Sequence, residues 1–336
     1  MKKLFYPLVE NPYRNQDINA GIKVLKSKKI TAGFHTVNFE KQFKKKIKSN
    51  HALMVNSGSS ANLLILQCLI NPYRKKKLKT GDEVLIPSLC WSTSLWPIIQ
   101  SGLKPKFVDI DVSTLNINLS DLERKISKKT KAILIVHVLG NSTHMSALMN
   151  IVNRYNLILI EDTCESLGSK YKNKYLGTFG EFSSFSFYSS HQISSGEGGM
   201  ICCKTEDDYE IMKSLRSHGW SRGLKNEKKI AKNNKNLDSR FIFYNSGFNL
   251  RSTDIAASIA RSQFKDLNKF IKIRSKNRNN LIIEISKSSK VNNNLSIIKE
   301  NKNVKASWFG LPIILSKKVN RNKFIKKIED FGIETR

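Results

Sequence analysis

Cysteine is scarce in this chain, and the few present are badly placed for cross-linking. Cys68, Cys90, Cys164, Cys202 and Cys203 are odd in number and include no C-x-x-C spacing. That argues against a disulfide framework or a metal site and fits a reduced, cytoplasmic setting, with the thiols acting as small buried hydrophobes. Long apolar runs are also missing: none reaches the roughly 18 to 20 residues a membrane span needs. Pro7, Glu10 and Asn11 interrupt any apolar core of a signal peptide. A third absence is basic charge, since residues 49–73, 80–103, 132–153 and 175–203 contain neither Lys nor Arg.

That absence stands out in a chain with 58 Lys and Arg against 27 Asp and Glu, a formal net charge of +31. Such a balance invites a nucleic-acid partner. The distribution argues against one. Basic residues crowd into segments such as "EKQFKKKIK", "NEKKIAKNNKN" and "RNKFIKKIED", which read as a solvated outer face. An anionic small substrate would gain from the same field. With 336 residues and 40% hydrophobic content, the chain can bury one large core and a smaller one.

From residue 50 onward, short apolar segments alternate with helical ones, the signature of a mostly parallel α/β sheet. "HALMVNSG" runs straight into "SSANLLILQCLI", a strand feeding a helix. "DEVLIPS", "KPKFVDID", "KAILIVHVLG" and "NLILIED" read as further buried strands. "SDLERKIS", with Ser120 and Glu123 at capping-box spacing, and "MSALMNIVNRYN" read as helices. "GTFGEFSSFSFYSS" and "GEGGMICCK" read as paired strands before the helix "DDYEIMKSLRSHG". Residues 221–240 read as a charged loop. One long amphipathic stretch from Ser252 then leads to a strand at "SWFGLPIIL" and a helix at "NRNKFIKKIEDFG". We expect residues 1–250 to hold an N-terminal segment and a large α/β domain, and residues 251–336 a linking helix and a small α+β domain.

Three motifs carry possible chemistry. In "NSGSSAN", a strand ends in Ser57, Gly58 and Ser59 as a helix begins, so amides and hydroxyls converge where the helix dipole favours an anion. An ordinary helix cap would look the same. In "IEDTCES", Asp162 stands at the C-terminal end of a buried strand, where α/β ligands bind. It could hold a ring nitrogen protonated, or cap the next helix. In "CWSTSLW", Trp91 could offer a flat face to a heteroaromatic ring or simply pack in the core. Phosphate cradle, ring platform and ring-nitrogen carboxylate together point to pyridoxal phosphate.

At this point the chain resembles the nucleotide-sugar aminotransferase family, pyridoxal-phosphate enzymes of the aspartate-aminotransferase-like fold type I. The likeness runs through "KKITAGFHTVNFEKQF", "NSGSSANLL", "GDEVLIPSLCWSTS", "KPKFVDIDVSTLNI", "IEDTCESLGSKY", "GTFGEFSSFSFY", "GEGGM" and "GFNLRSTDIAA". The resemblance implies that Ser57, Gly58, Ser59 and Ser186 hold the cofactor phosphate. It further implies that Trp91 stacks on the ring, that Asp162 meets its nitrogen, and that Glu165 lies near its 3-hydroxyl. Asn249 would reach the phosphate of a partner subunit, implying a homodimer with shared active sites.

One departure from the family pattern is decisive. The family's cofactor-binding lysine stands five residues before G-E-G-G, and in "SFYSSHQISSGEGGM" that position is His191. No Lys or Arg lies between Lys174 and Lys204 to replace it. Imidazole cannot form the covalent link, but it can act as a general base near neutral pH. This exchange resembles the 3-dehydratase branch of the family. It implies removal of the C3 hydroxyl from a nucleotide-linked 4-keto-6-deoxy hexose, with GDP-4-keto-6-deoxy-D-mannose as the expected substrate. Pyridoxamine phosphate would be the working cofactor, regenerated by L-glutamate, in dideoxy-sugar and O-antigen biosynthesis. A relative that couples such chemistry to an iron–sulfur cluster carries extra cysteines after the helix ending here in "LRSHG". No cysteine follows Cys203, so no cluster is expected.

His218 and Arg222, in "SHGWSRG", are candidates for contacting glutamate or the sugar nucleotide, or are ordinary loop surface. The family continues past "GIETR", so a small domain ending at Arg336 is expected to be incomplete relative to it. Two other readings stay open: a lysine-dependent sugar aminotransferase, and a non-catalytic cofactor-binding or regulatory homologue. A borohydride-reducible lysine adduct would mark the first, and cofactor binding without turnover the second.

Overall fold

The structure, a computed structural model, describes residues 5–288 and 293–336. Two helices, α1 (Asn15–Lys26) and α2 (Phe34–Ile47), precede strand β1 (His51–Val55) and helix α3 (Gly58–Leu69). Strand β2 (Glu83–Pro87), helix α4 (Ser92–Gln100) and strand β3 (Lys104–Val108) follow, then the short strands β4 (Ile110–Asp111) and β5 (Asn116–Ile117). Helix α5 (Leu119–Lys125), strand β6 (Thr130–Val136), helix α6 (Met145–Arg154) and strand β7 (Ile158–Asp162) continue the alternation. After the small hairpin of β8 (Lys170–Tyr171) and β9 (Lys174–Tyr175) come β10 (Phe182–Ser186) and β11 (Gly199–Cys203).

Seven strands form one sheet in the order β1-β11-β10-β7-β6-β2-β3. All run parallel except β11, which is antiparallel to both of its neighbours. The expected mostly parallel sheet is therefore present. The interior strands are buried along nearly their whole length because both faces are covered, and β2 and β6 are accordingly apolar runs. In β6, Ala132, Leu134 and Val136 enter the core shared with α3 and α7 (Glu206–Arg216), whereas Ile133 and Ile135 enter a second core with α6. A third core joins Phe39 and Phe43 of α2 to Phe185, Phe187 and Met200.

Parallel strands share one C-terminal edge. Val55, Pro87, Val136, Asp162 and Ser186 all end there, and the antiparallel β11 begins there at Gly199. Whatever follows those strands is thereby brought together.

Several local expectations are corrected. Helix α5 is capped by Asn118, whose side chain accepts from Asp121 N at 3.0 Å, not by Ser120. The helix starts as soon as β5 ends, so Ser120 lies inside it. Residues 221–240 are not all loop: α8 (Glu227–Asn233) forms there with no buried residue, a run of good helix formers acting by propensity alone. The long stretch from Ser252 is two helices, α9 (Asp254–Lys265) and α10 (Leu267–Ser286), meeting at Asp266. Only Ile313–Leu315 of "SWFGLPIIL" is strand, whereas Ser307 and Trp308 are buried without regular structure. Among the described residues the five cysteines are free, with Cys68, Cys202 and Cys203 buried. No helix among them is long and apolar enough to cross a membrane.

Candidate active site

The N-terminus of α3 follows directly from β1. Ser57 is its cap, with extended backbone and an Oγ that accepts from Ser60 N at 3.0 Å. A Cβ at Gly58 would sit 2.7 Å from Ser186 Cβ and 2.8 Å from Cys164 Sγ. A Cβ at Gly199 would meet the Ser57 carbonyl and lie 2.8 Å from the Gly58 nitrogen. Ser57, Gly58 and Ser186 are thus one compact group, close-packed because two positions have no side chain. Ser59 faces α4, donating to Thr93 Oγ1 at 2.9 Å.

Strand alternation sets the carboxylates. Asp162 and Glu161 are consecutive, so they point to opposite faces of β7. Asp162 faces α3 and α4: one oxygen accepts from Asn62 Nδ2 at 2.9 Å and from Ser94 Oγ at 2.7 Å. Its other oxygen accepts from Cys164 N at 3.1 Å. The helix-cap reading of Asp162 is corrected: residues 163–169 form turns that lead to β8, so Asp162 closes a turn instead and presents a supported carboxylate at the strand end. Trp91, at the start of α4, is 70% exposed, which removes the core-packing reading.

Glu165 lies in the turn after β7. Its Oε2 accepts from Leu139 N at 2.7 Å. Burial pushes its carboxyl above the usual range, and Asp162 adds to the rise. Leu139 itself has a left-handed backbone (φ 54°), held from both sides, because its carbonyl also accepts from Phe309 N at 3.0 Å.

His191 follows β10 in the loop that returns to β11. Its amide donates to the Tyr188 carbonyl at 3.0 Å, and its ring meets Phe309 edge-on with centroids 5.1 Å apart. Nδ1 is buried without a hydrogen-bond partner. Burial, with the cationic Arg336 and Arg274 nearby, pushes the imidazole down to about 4 despite the opposing pull of Asp162. The ring is therefore neutral at physiological pH, with a nitrogen free to accept a proton.

Asn249, His218 and Arg222 stand apart and exposed. Arg251 links the first two, donating to Asn249 Oδ1 at 3.2 Å and lying 3.3 Å from His218 Nε2. Among the described residues, no hydrogen bond or ring contact joins these three to Asp162 or His191. Sequence reasoning missed Asn62, Ser94, Leu139, Arg274 and Phe309. Asn62 and Ser94 lie inside the "NSGSSAN" and "CWSTS" motifs, and Leu139 and Phe309 inside "KAILIVHVLG" and "SWFGLPIIL", which read only as strands; Arg274 left no trace.

A doubly covered, mostly parallel sheet with a helix N-terminus and a supported carboxylate on one edge is the arrangement of the fold type I aminotransferase-like enzymes. Residues 12–336 match the model of the DegT/DnrJ/EryC1/StrS aminotransferase family, and the chain belongs to that family. It is 36% identical to the GDP-4-keto-6-deoxy-D-mannose 3-dehydratase of Escherichia coli O55:H7 over 98% of this chain and 84% of that one. A solved E. coli GDP-4-keto-6-deoxy-D-mannose-3-dehydratase with bound hydrated PLP superposes with a TM-score of 0.91 at 36% identity, covering 99% of this chain and 85% of that one. A structure of GDP-4-keto-6-deoxymannose-3-dehydratase with a trapped PLP-glutamate geminal diamine gives a TM-score of 0.91 at 37% identity, covering 98% and 85%.

Proposed function

We propose that this protein removes the C3 hydroxyl of GDP-4-keto-6-deoxy-D-mannose, with pyridoxamine phosphate as cofactor and L-glutamate as reductant. It would act as a cytoplasmic homodimer in dideoxy-sugar synthesis for O-antigen. The observation that carries this reading is His191, in a loop where residues 175–203 hold no Lys or Arg. The relatives bearing the dehydratase name supply the substrate class.

The residues present suit the cofactor. Gly58 and Gly199 let the α3 N-terminus pack directly against Ser186 and the start of β11, so that Ser57, Ser59 and Ser186 would donate hydroxyls to a phosphate at the helix N-terminus. Asp162, anchored by Asn62 and Ser94, would face the ring nitrogen. Trp91 would cover the ring, and Glu165 would lie beside its hydroxyl. Asn249 would serve the partner's site, and His218 and Arg222 would meet glutamate or the sugar nucleotide. Residues 1–250 would form the cofactor domain and 251–336 the linking helix and smaller domain. When bound, the cofactor supplies an amino group and an electron-accepting ring.

His191 accepts a proton at a ring nitrogen and returns it, staying neutral between turnovers because burial disfavours the imidazolium. No chain amine in the loop competes for a covalent bond. The overall balance closes. The oxygen lost from C3 equals the one gained as glutamate becomes 2-oxoglutarate, with release of ammonia.

The test is incubation with GDP-4-keto-6-deoxymannose, glutamate and pyridoxal phosphate. Mass spectrometry should show loss of one oxygen from the sugar, with ammonia released alongside. His191→Asn should lower the rate by about 10²- to 10⁴-fold while keeping cofactor. A folded, cofactor-loaded wild-type protein that leaves the sugar intact would overturn the proposal.

A further inference from the structure

Arg274, on α10, extends a half-buried guanidinium between two stretches of chain. Nη2 donates to the carbonyls of His191 (3.2 Å) and Ser190 (3.4 Å). Nη1 donates to the carbonyls of Phe309 (3.1 Å) and Trp308 (3.5 Å). Burial lowers its affinity for its proton, and all four of these partners are neutral carbonyls. A cation held this way is costly unless its fork is matched to the acceptors.

The two stretches it joins are the histidine loop and the segment that contacts the histidine ring. Phe309 lies against His191, and Phe309 N bonds the Leu139 carbonyl, whose own amide meets Glu165. Gln192 adds a second stitch, donating to the Glu165 carbonyl at 2.6 Å and the Ser307 carbonyl at 2.9 Å. A histidine that replaces a covalently anchored lysine has no bond to hold it over its target. Its aim depends on the backbone beneath it.

We infer that Arg274 is the positioning residue of His191: by bridging the carbonyls of residues 190–191 to those of 308–309, it holds the imidazole and the Phe309 ring as one unit. This rests on the dehydratase reading for its catalytic consequence but not for its structural one. The charged and polar groups facing His191 are Arg336 from the C-terminal residues, Asp162 from β7, Arg274 from α10 and Tyr188 in its own loop.

The experiment uses apo protein with labelled histidine, comparing wild type, Arg274→Lys and Arg274→Met. Amide exchange at residues 190–192 should quicken about tenfold or more in both variants, because neither has the fork. The His191 titration should move upward in Arg274→Met, which loses a facing cation, and much less in Arg274→Lys. In the loaded enzyme both should lose about a hundredfold in kcat, with KM for the sugar nucleotide within a few-fold. Should Arg274→Met fail to fold, Arg274→Lys carries the test, keeping the charge and losing the geometry. Unchanged exchange in Arg274→Lys, or wild-type kcat in a variant with quickened exchange, would overturn the inference. Wild-type inactivity on the sugar with the apo differences present would instead overturn the dehydratase reading alone.

Discussion

His137 Nε2 lies 2.9 Å from Glu161 Oε2, and neither side chain has any exposure to solvent. The same carboxylate accepts from the amides of Gly177 (2.8 Å), Phe179 (2.8 Å) and Gly180 (2.7 Å). It thereby ties the turn before β10 to the strand that ends in Asp162, on the face opposite the site. Glu161→Ala strands three amides, those of Gly177 and Gly180 buried and that of Phe179 partly so, together with a buried imidazole. We expect a loss of about 3–5 kcal/mol in urea denaturation. A loss below about 1 kcal/mol would contradict this account. Burial raises the Glu161 carboxyl, but His137 and the amides outweigh it and hold it below the ordinary range. A depressed acid contributes stability present above the unfolded value of 4.5, and that stability disappears as pH falls through the folded value.

His191 is depressed as well, but there burial disfavours the charged form instead of hydrogen bonds favouring it. Its imidazole is pushed from 6.5 down to about 4, so the unfolded chain takes up a proton that the folded protein refuses. Stability is therefore full above 6.5 and falls as pH drops from 6.5 toward 4, by up to about 3 kcal/mol. In apo protein the His191→Asn variant should lose less stability over that interval. Identical pH profiles for the two would show that the ring is not buried neutral.

Glu165 gives a third pH signature. Burial raises its carboxyl, so the folded protein binds that proton more tightly than the unfolded chain. Stability is lost as pH rises from 4.5 through the folded value. Glu165→Gln keeps an acceptor for Leu139 N and carries no charge. It should be more stable than wild type at pH 7, with the gain vanishing below pH 4.5. Thermal unfolding at the two pH values reads this directly, and a variant less stable at pH 7 would refute it.

The glycine contacts predict a binding defect. Gly58→Ala places a methyl against Ser186 and Cys164, whose atoms sit in packed strand and turn. Overpacking of this kind costs about 1–3 kcal/mol. Displacement of Ser57 and Ser186 should weaken pyridoxal phosphate binding about tenfold or more, measured by equilibrium dialysis. Wild-type affinity in the variant would place the phosphate elsewhere.

Much of this arrangement was legible before any coordinates. Continuous apolar runs marked β6 and β7, because burial on both faces writes itself into five to seven consecutive residues, and "NSGSSAN" marked the strand-to-helix junction, because a helix cap involves near neighbours. The cap of α5 was misplaced by two residues because Ser and Asn satisfy the same amides equally well. Helix α8 was missed because it buries nothing, so no periodicity announced it. "SWFG" looked like a strand because buried apolar residues read alike whether their backbone pairs with a strand or with side chains. Its Ser307 amide instead bonds Ser169 Oγ at 2.8 Å.

By itself, the order of residues determined the alternation of strands and helices and the set of groups gathered at the strands' C-terminal ends. It also determined that a histidine stands in a loop without a lysine. Tertiary structure alone decided that Asp162 leans on Asn62 and Ser94, that Glu165 draws the Leu139 amide, and that Arg274 grips the histidine loop. The reason is range. Helix caps and strand alternation depend on residues a few positions apart, whereas Arg274 and His191 are 83 positions apart and meet only through the packing of the whole chain.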